Sequence, residues 1–249
     1  MENQELKNEI DKLNRVDNQK RILNHPITQA LLGGLGVIPI IGSATGAGID
    51  SGINVYLKKE EEKRLFHICE MIISEGSITT DMVKGVKEVI SFAKMLDVAR
   101  KLITNDKLDF LVRLYKNLVT QDEKDYSEFE EYLRRLDELS FREIEILHIL
   151  DEQDLVIEDL KGSCQNQDGI FDMEAHHTKV QQIESKWLEF QEIVQQKFEI
   201  DPLDLQGYMQ SISRSGFCVQ YKVTDMPIRA NGIFAVTRYY RNFANKIYK

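Results

Sequence analysis

From Pro26 to Ile49 the chain carries no charge, and seven of its fourteen glycines lie between Gly33 and Gly52. A stretch this apolar has to be covered, yet Gly33, Gly34, Gly36, Pro39 and Gly42 interrupt it in the middle. Crossing a membrane takes about 20 predominantly apolar helical residues, and the halves left by these breaks are too short. The flanks agree: Lys20 and Arg21 precede the stretch and Lys58 and Lys59 follow it, which sets both ends on one side of any membrane. A phosphate-binding loop is excluded as well. That motif needs a Lys after its last glycine, no Lys falls between Gly33 and Gly52, and Asp50 would repel a phosphate. Small residues at four-residue spacing (Gly42/Gly46 and Ala44/Gly48/Gly52) permit close helix contact. Residues 26–57 therefore read as a Gly-rich helical hairpin, covered by protein core, by a second copy or by a membrane surface. Its candidate self-association or membrane residues are Leu31, Leu32, Leu35, Val37, Ile38, Ile40, Ile41, Gly42, Gly46, Gly48 and Gly52.

The remainder is dominated by helical periodicity. Leu6, Ile10, Leu13 and Val16 give residues 1–25 a narrow apolar stripe suited to docking on another helix. Residues 52–74 form one helix closed near Gly76, with Glu60 and Arg64 at favourable i,i+4 spacing. Further stripes run through Val83–Leu96, Leu108–Leu118 (with Asp106 as its cap) and Val180–Phe198. Ser127-Glu-Phe-Glu130 and Ser140-Phe-Arg-Glu143 both match the capping-box pattern. Residues 58–138 are expected to be a helical domain.

After Asp201-Pro202 the character changes. A short helix through Leu205, Tyr208, Met209 and Ile212 stops at Gly216. Phe217–Val223 and Ile233–Thr237 read as strands around a turn, before a last helix over Arg238–Tyr248. With Leu139–Leu150 as an opening helix, residues 139–249 have the order of a winged helix, carrying a long insertion at 151–200. The fold expected is mainly α: a helical bundle with the N-terminal hairpin and a C-terminal winged-helix-like α+β module.

Charge and cysteines limit the functions on offer. Residues 58–200 hold 20 Lys/Arg against 32 Asp/Glu, whereas residues 201–249 hold 7 against 3. The bulk repels nucleic acid and the C-terminal module tolerates it. Cys69, Cys164 and Cys218 are odd in number and far apart, which excludes a disulfide framework and points to a reducing cytoplasm. Residues 1–24 show no apolar signal region. The location expected is cytoplasmic, peripheral at the inner membrane face if lipid covers the hairpin.

Three chemical readings need weighing. Asp172-Met-Glu-Ala-His-His177, with Cys164 upstream, brings metal-ligand types together, but no C-x-x-C or H-E-x-x-H pattern is present and no metal is assigned. Arg142 and His148 resemble the R-x(4–6)-H signature of HEPN ribonucleases, all-helical enzymes in which that pair would be catalytic. Glu143 stands where that family usually has Asn, Asp or His. For DNA binding by the winged segment the phosphate contacts would be Arg214, Lys222, Arg229, Arg238, Arg241 and Lys246. The recognition-like helix "LDLQGYMQSISRS" begins with acids and holds one Arg, which suits protein docking better than base reading.

One layout ties these parts together. An apolar Gly/Pro segment ("GLGVIPIIGSATGAGIDS") is followed by a charged helix ("KKEEEKRLFHI"), then "DKLDFLVRLYKNLV" and "LRRLDELSFREIEILHIL", then the winged-helix-like ending. In this it resembles bacterial proteins related to the Abi-alpha (abortive infection) family. The resemblance implies a phage-defence or stress protein without known catalysis, associated with a membrane. The leading expectation is a non-enzymatic effector or interaction protein without cofactor, acting on a protein partner or as a homo-oligomer. A DNA-binding regulator and a HEPN-like ribonuclease are the alternatives.

Overall fold

The computed structural model describes residues 17–35, 52–74, 76–154, 173–221 and 232–248. The stripe Leu6–Val16 lies outside them, as do Cys164, Asp172 and the turn 224–231. The described residues are mainly helical, with a small two-stranded antiparallel sheet near the C-terminus. They divide into two compact units, one up to Leu136 and one over Asp137–Ile247.

Among the described residues the first unit holds α1 (17–23), α2 (Pro26–Gly34), α3 (Gly52–Ser74), α4 (Thr80–Val83), α5 (Val86–Lys101), α6 (Leu108–Thr120) and all but the last two residues of α7 (Tyr126–Glu138). Pro26 takes the first turn of α2, where its missing N–H costs nothing. The His25 ring accepts from the Ile27 amide at 3.4 Å. Ile27, Thr28, Leu31 and Leu32 are buried on the face that meets α4 and α5. The core continues through Ile68, Cys69 and Ile72 of α3 and Phe92 and Met95 of α5 to Leu111, Leu114, Tyr115 and Leu118 of α6. Phe92 and Tyr115 meet at 5.5 Å, and Tyr115 takes Phe129 edge-on at 6.4 Å.

Two long cations close helix ends. Arg64 of α3 donates to the carbonyls of Ala99 at 3.4 Å and Ile103 at 3.1 Å, at the C-terminus of α5. Lys107 donates to the Leu136 carbonyl in the last turn of α7 at 2.6 Å. Both cations sit where the helix dipole is negative and carbonyls lack intrahelical partners. Arg64 thus leaves Glu60, its expected partner, which pairs with Lys63 at 2.5 Å instead. Two caps also differ from expectation. Asp125, not Ser127, accepts from the Glu128 amide at 2.9 Å to start α7, and Lys107 rather than Asp106 precedes α6.

The second unit contains α8 (Phe141–Glu152), α9 (Met173–Phe198), α10 (Pro202–Ser213), β1 (Cys218–Tyr221), β2 (Ile233–Val236) and α11 (Arg238–Ile247). Ser140 and Glu143 form the reciprocal capping box at the start of α8. Val180, Ile183, Trp187, Phe190 and Val194 bury one stripe of α9, and Trp187 stacks on Phe234 of β2 at 5.9 Å. Residues 173–198, expected within an insertion, therefore help form the core of this unit. β1 and β2 pair from Cys218↔Val236 to Tyr221↔Ile233. α10 closes on Arg214, two residues before the expected stop; Gly216 then leads into β1 at φ 80 and Gly232 enters β2 at φ 70, conformations that disfavour any side chain. A Cβ on Gly232 would also stand 2.7 Å from the Tyr221 carbonyl oxygen. Thr237 ties the sheet to α11: its hydroxyl donates to the Gly216 carbonyl at 2.9 Å and accepts from the Tyr240 amide at 3.2 Å.

A candidate docking cleft in the C-terminal unit

The Ser140 cap fixes the first turn of α8 and turns Arg142 outward. At the far end of α9, Glu199 takes φ 54 and redirects the chain, and Asp201 then caps α10 by accepting from the amides of Leu203 at 2.7 Å and Asp204 at 2.9 Å. This turn sets Phe198 and Tyr208 beside the Arg142 guanidinium, with ring centroids 5.6 and 5.9 Å from its central carbon. One guanidinium N–H donates to the Tyr208 hydroxyl at 3.1 Å. Cation–ring distances within about 6 Å are attractive, so the arginine is held in place although it is exposed.

Arg142, Glu143, Ile200, Asp204, Gly207, Tyr208 and Ser211 line an open cleft of about 490 Å³. The Glu143 carboxylate is turned back to the Ser140 amide and hydroxyl, both at 2.8 Å, so its charge is engaged in the cap. A Cβ on Gly207 would meet nothing within 4 Å, leaving the α10 backbone open there. Leu203, one turn earlier on α10, is 77% exposed.

The other anticipated residues fall elsewhere. His148 lies about 1.7 turns beyond Arg142 on α8 and faces Glu152 at 3.6 Å. Six positions separate it from Arg142, about 9 Å along the axis and about 120° around it. Arg241 bridges Asp151 at 3.1 Å and Asp154 at 3.2 Å, which neutralises acids gathered at the unfavourable end of α8. Arg214 and Arg238 are exposed, Lys246 is half-buried, and Lys222 and Arg229 lie outside the described residues. Of the hairpin candidates, Leu31 and Leu32 are in the core of the first unit, at 0% and 4% exposure. Leu35 follows the last turn of α2 and Gly52 opens α3. Val37, Ile38, Ile40, Ile41, Gly42, Gly46 and Gly48 lie outside the described residues. No described helix is long and apolar enough to cross a membrane. Among the described residues no cluster of His, Cys, Asp or Glu has the makings of a metal site.

Two groups escaped the sequence reading. In the sequence Phe198 and Tyr208 read as members of apolar helical stripes, and only the phenol of Tyr208 hints at a polar task. The second is Glu88, buried at 8% exposure, which accepts from Lys124 at 2.7 Å and Tyr126 at 2.5 Å. Burial pushes its carboxyl pKa up, the two hydrogen bonds pull it down, and the net displacement is downward. No protein-family model, curated protein or solved structure matches the chain.

Proposed function

We propose that the chain is a non-catalytic interaction protein of the abortive-infection kind, which docks a protein partner through its C-terminal unit. The observation that carries this reading is Arg142, exposed yet held over Phe198 and Tyr208, at the edge of an open cleft. Arginine, tyrosine and neighbouring apolar surface are the composition of interface hot spots. A guanidinium positioned in advance also loses less freedom on binding than a mobile one.

The order α8, α10, β1, β2, α11 supports a winged-helix-like reading of this unit. In that reading α10 is the recognition helix, and its exposed residues include Leu203, Asp204, Gly207 and Gln210. A duplex phosphate backbone is met by cations, and these positions supply none, which favours protein over DNA as the partner.

The test places a photo-crosslinking phenylalanine analogue at Leu203 in bacterial cells, before and after phage infection. An adduct with a distinct protein is expected, absent when the same analogue replaces the exposed Glu189 of α9. No adduct, or adducts with nucleic acid alone, overturns the proposal.

A further inference from the structure

We propose that the Arg142 cleft takes a carboxylate-bearing peptide segment with an apolar residue beside the carboxylate; this rests on the docking reading above and names the chemistry of its partner. Three donors converge there. Arg142 spends one N–H on Tyr208, and a guanidinium has five N–H donors in a planar fork suited to a carboxylate. Tyr208 accepts in that bond, so its own hydroxyl hydrogen is left to donate. Ser211 adds a second hydroxyl from the next turn of α10.

The rest of the lining narrows the ligand. Asp204 and Glu143 also line the cleft, so a doubly charged phosphate meets more repulsion than a singly charged carboxylate. Ile200 lines the cleft and Leu203 is exposed on the helix that forms one wall. A bare carboxylate would leave this apolar surface wet, whereas a leucine-like side chain covers it. Asp204 is in turn placed to accept from a backbone amide of the peptide. The open backbone at Gly207 leaves room for a main chain to approach.

The experiment is an NMR titration of the full chain, following the Arg142 side-chain N–H and the Gly207 and Ser211 amides. N-acetyl-leucine is the probe; acetate, N-acetyl-leucinamide and inorganic phosphate are the comparisons. N-acetyl-leucine is expected to shift these signals saturably, with a dissociation constant on the order of millimolar for so small a ligand. Arg142→Ala and the milder Tyr208→Phe are expected to weaken it by about tenfold and about threefold. Unchanged amide spectra elsewhere report that both variants are folded. Absence of a saturable shift overturns the proposal, as does equal binding by Arg142→Ala. Acetate binding as tightly assigns a free carboxylate rather than a peptide, phosphate binding more tightly assigns a phosphoryl group, and either result also overturns it. Crosslinking at Leu203 without binding of N-acetyl-leucine would sink this ligand assignment and leave the docking reading standing. Binding of the probe without a crosslink would do the reverse.

Discussion

The carboxylate of Glu88 in the first turn of α5 accepts a 2.5 Å hydrogen bond from the Tyr126 hydroxyl at the start of α7. Lys124 completes the arrangement at 2.7 Å, and Lys87 lies 5.1 Å over the Tyr126 ring. The titrations on either side of this bond have opposite signs. The pKa of Glu88 is lowered in the native state, so its contribution is present above about pH 4.3, the ordinary Glu value, and is lost as acid drives the pH through the lowered one. Burial and the bond to Glu88 push Tyr126 up to about 12. Its contribution is whole below about pH 10 and disappears as the pH rises toward that value. Glu88→Gln is expected to cost about 2 kcal/mol at neutral pH and to flatten the acid limb of stability. Denaturant unfolding from pH 3 to 8 checks this, and an unchanged acid limb in the variant would refute it.

Gly85 is coupled to the same carboxylate. A Cβ at this position would stand 2.1 Å from Glu88 Oε2, although its backbone, at φ −68 and ψ 149, suits any residue. Gly85→Ala should therefore destabilise only by pushing the carboxylate off its partners, by about 1 kcal/mol. In a Glu88→Ala background the same change should cost nothing, since the obstructing atom is gone. Equal costs in both backgrounds would show that the contact is not responsible.

Ser127 and Ser140 begin the same four-residue pattern and do different things. Ser140 accepts from the Glu143 amide at 3.2 Å, whereas Ser127 is exposed inside α7, one residue past its start. Ser140→Ala should cost about 1 kcal/mol. Ser127→Ala should cost nothing measurable, and Asp125→Ala should cost as much as Ser140→Ala. Thermal melts of the three variants decide; a loss at Ser127 matching that at Ser140 would contradict the assignment.

This pair also explains how far the sequence was legible. Patterns within one helical turn carry their own partners, so the Ser140 box and the stripe of α9 were readable from spacing alone. The choice between Asp125 and Ser127 was not, because both are good caps and stand two residues apart. Arg64 shows the harder limit. Its neighbour Glu60 is visible in the sequence, but the carbonyls it takes belong to a helix 35 residues on. The cleft has the same origin: Arg142, Phe198 and Tyr208 come from three helices, and each alone has an ordinary structural explanation. Only the turn at Glu199 brings them together.

Cys69 and Cys218 should be chemically silent in the native protein. Burial raises each thiol pKa to about 12. The thiolate is the reactive species, and at pH 8 almost none forms. Alkylation with iodoacetamide, mapped by mass spectrometry, should modify both only after denaturation. Labelling of either in the folded chain at pH 8 would mean that its site opens readily.

Arg142 and His148 separate the docking reading from the ribonuclease reading. A nuclease that used them as a pair would lose RNA cleavage when either is replaced, whatever the other still does. In the structure they have different partners: Arg142 holds Tyr208 and Phe198, and His148 holds Glu152. If the cleft is the working surface, Arg142→Ala should cut the crosslinking yield at Leu203 by about tenfold. His148→Ala should leave it unchanged, because the imidazole is not part of the cleft lining. Purified chain incubated with single-stranded RNA should show no cleavage that His148→Ala abolishes. Cleavage lost equally in both variants would reverse this conclusion and make α8 the seat of catalysis.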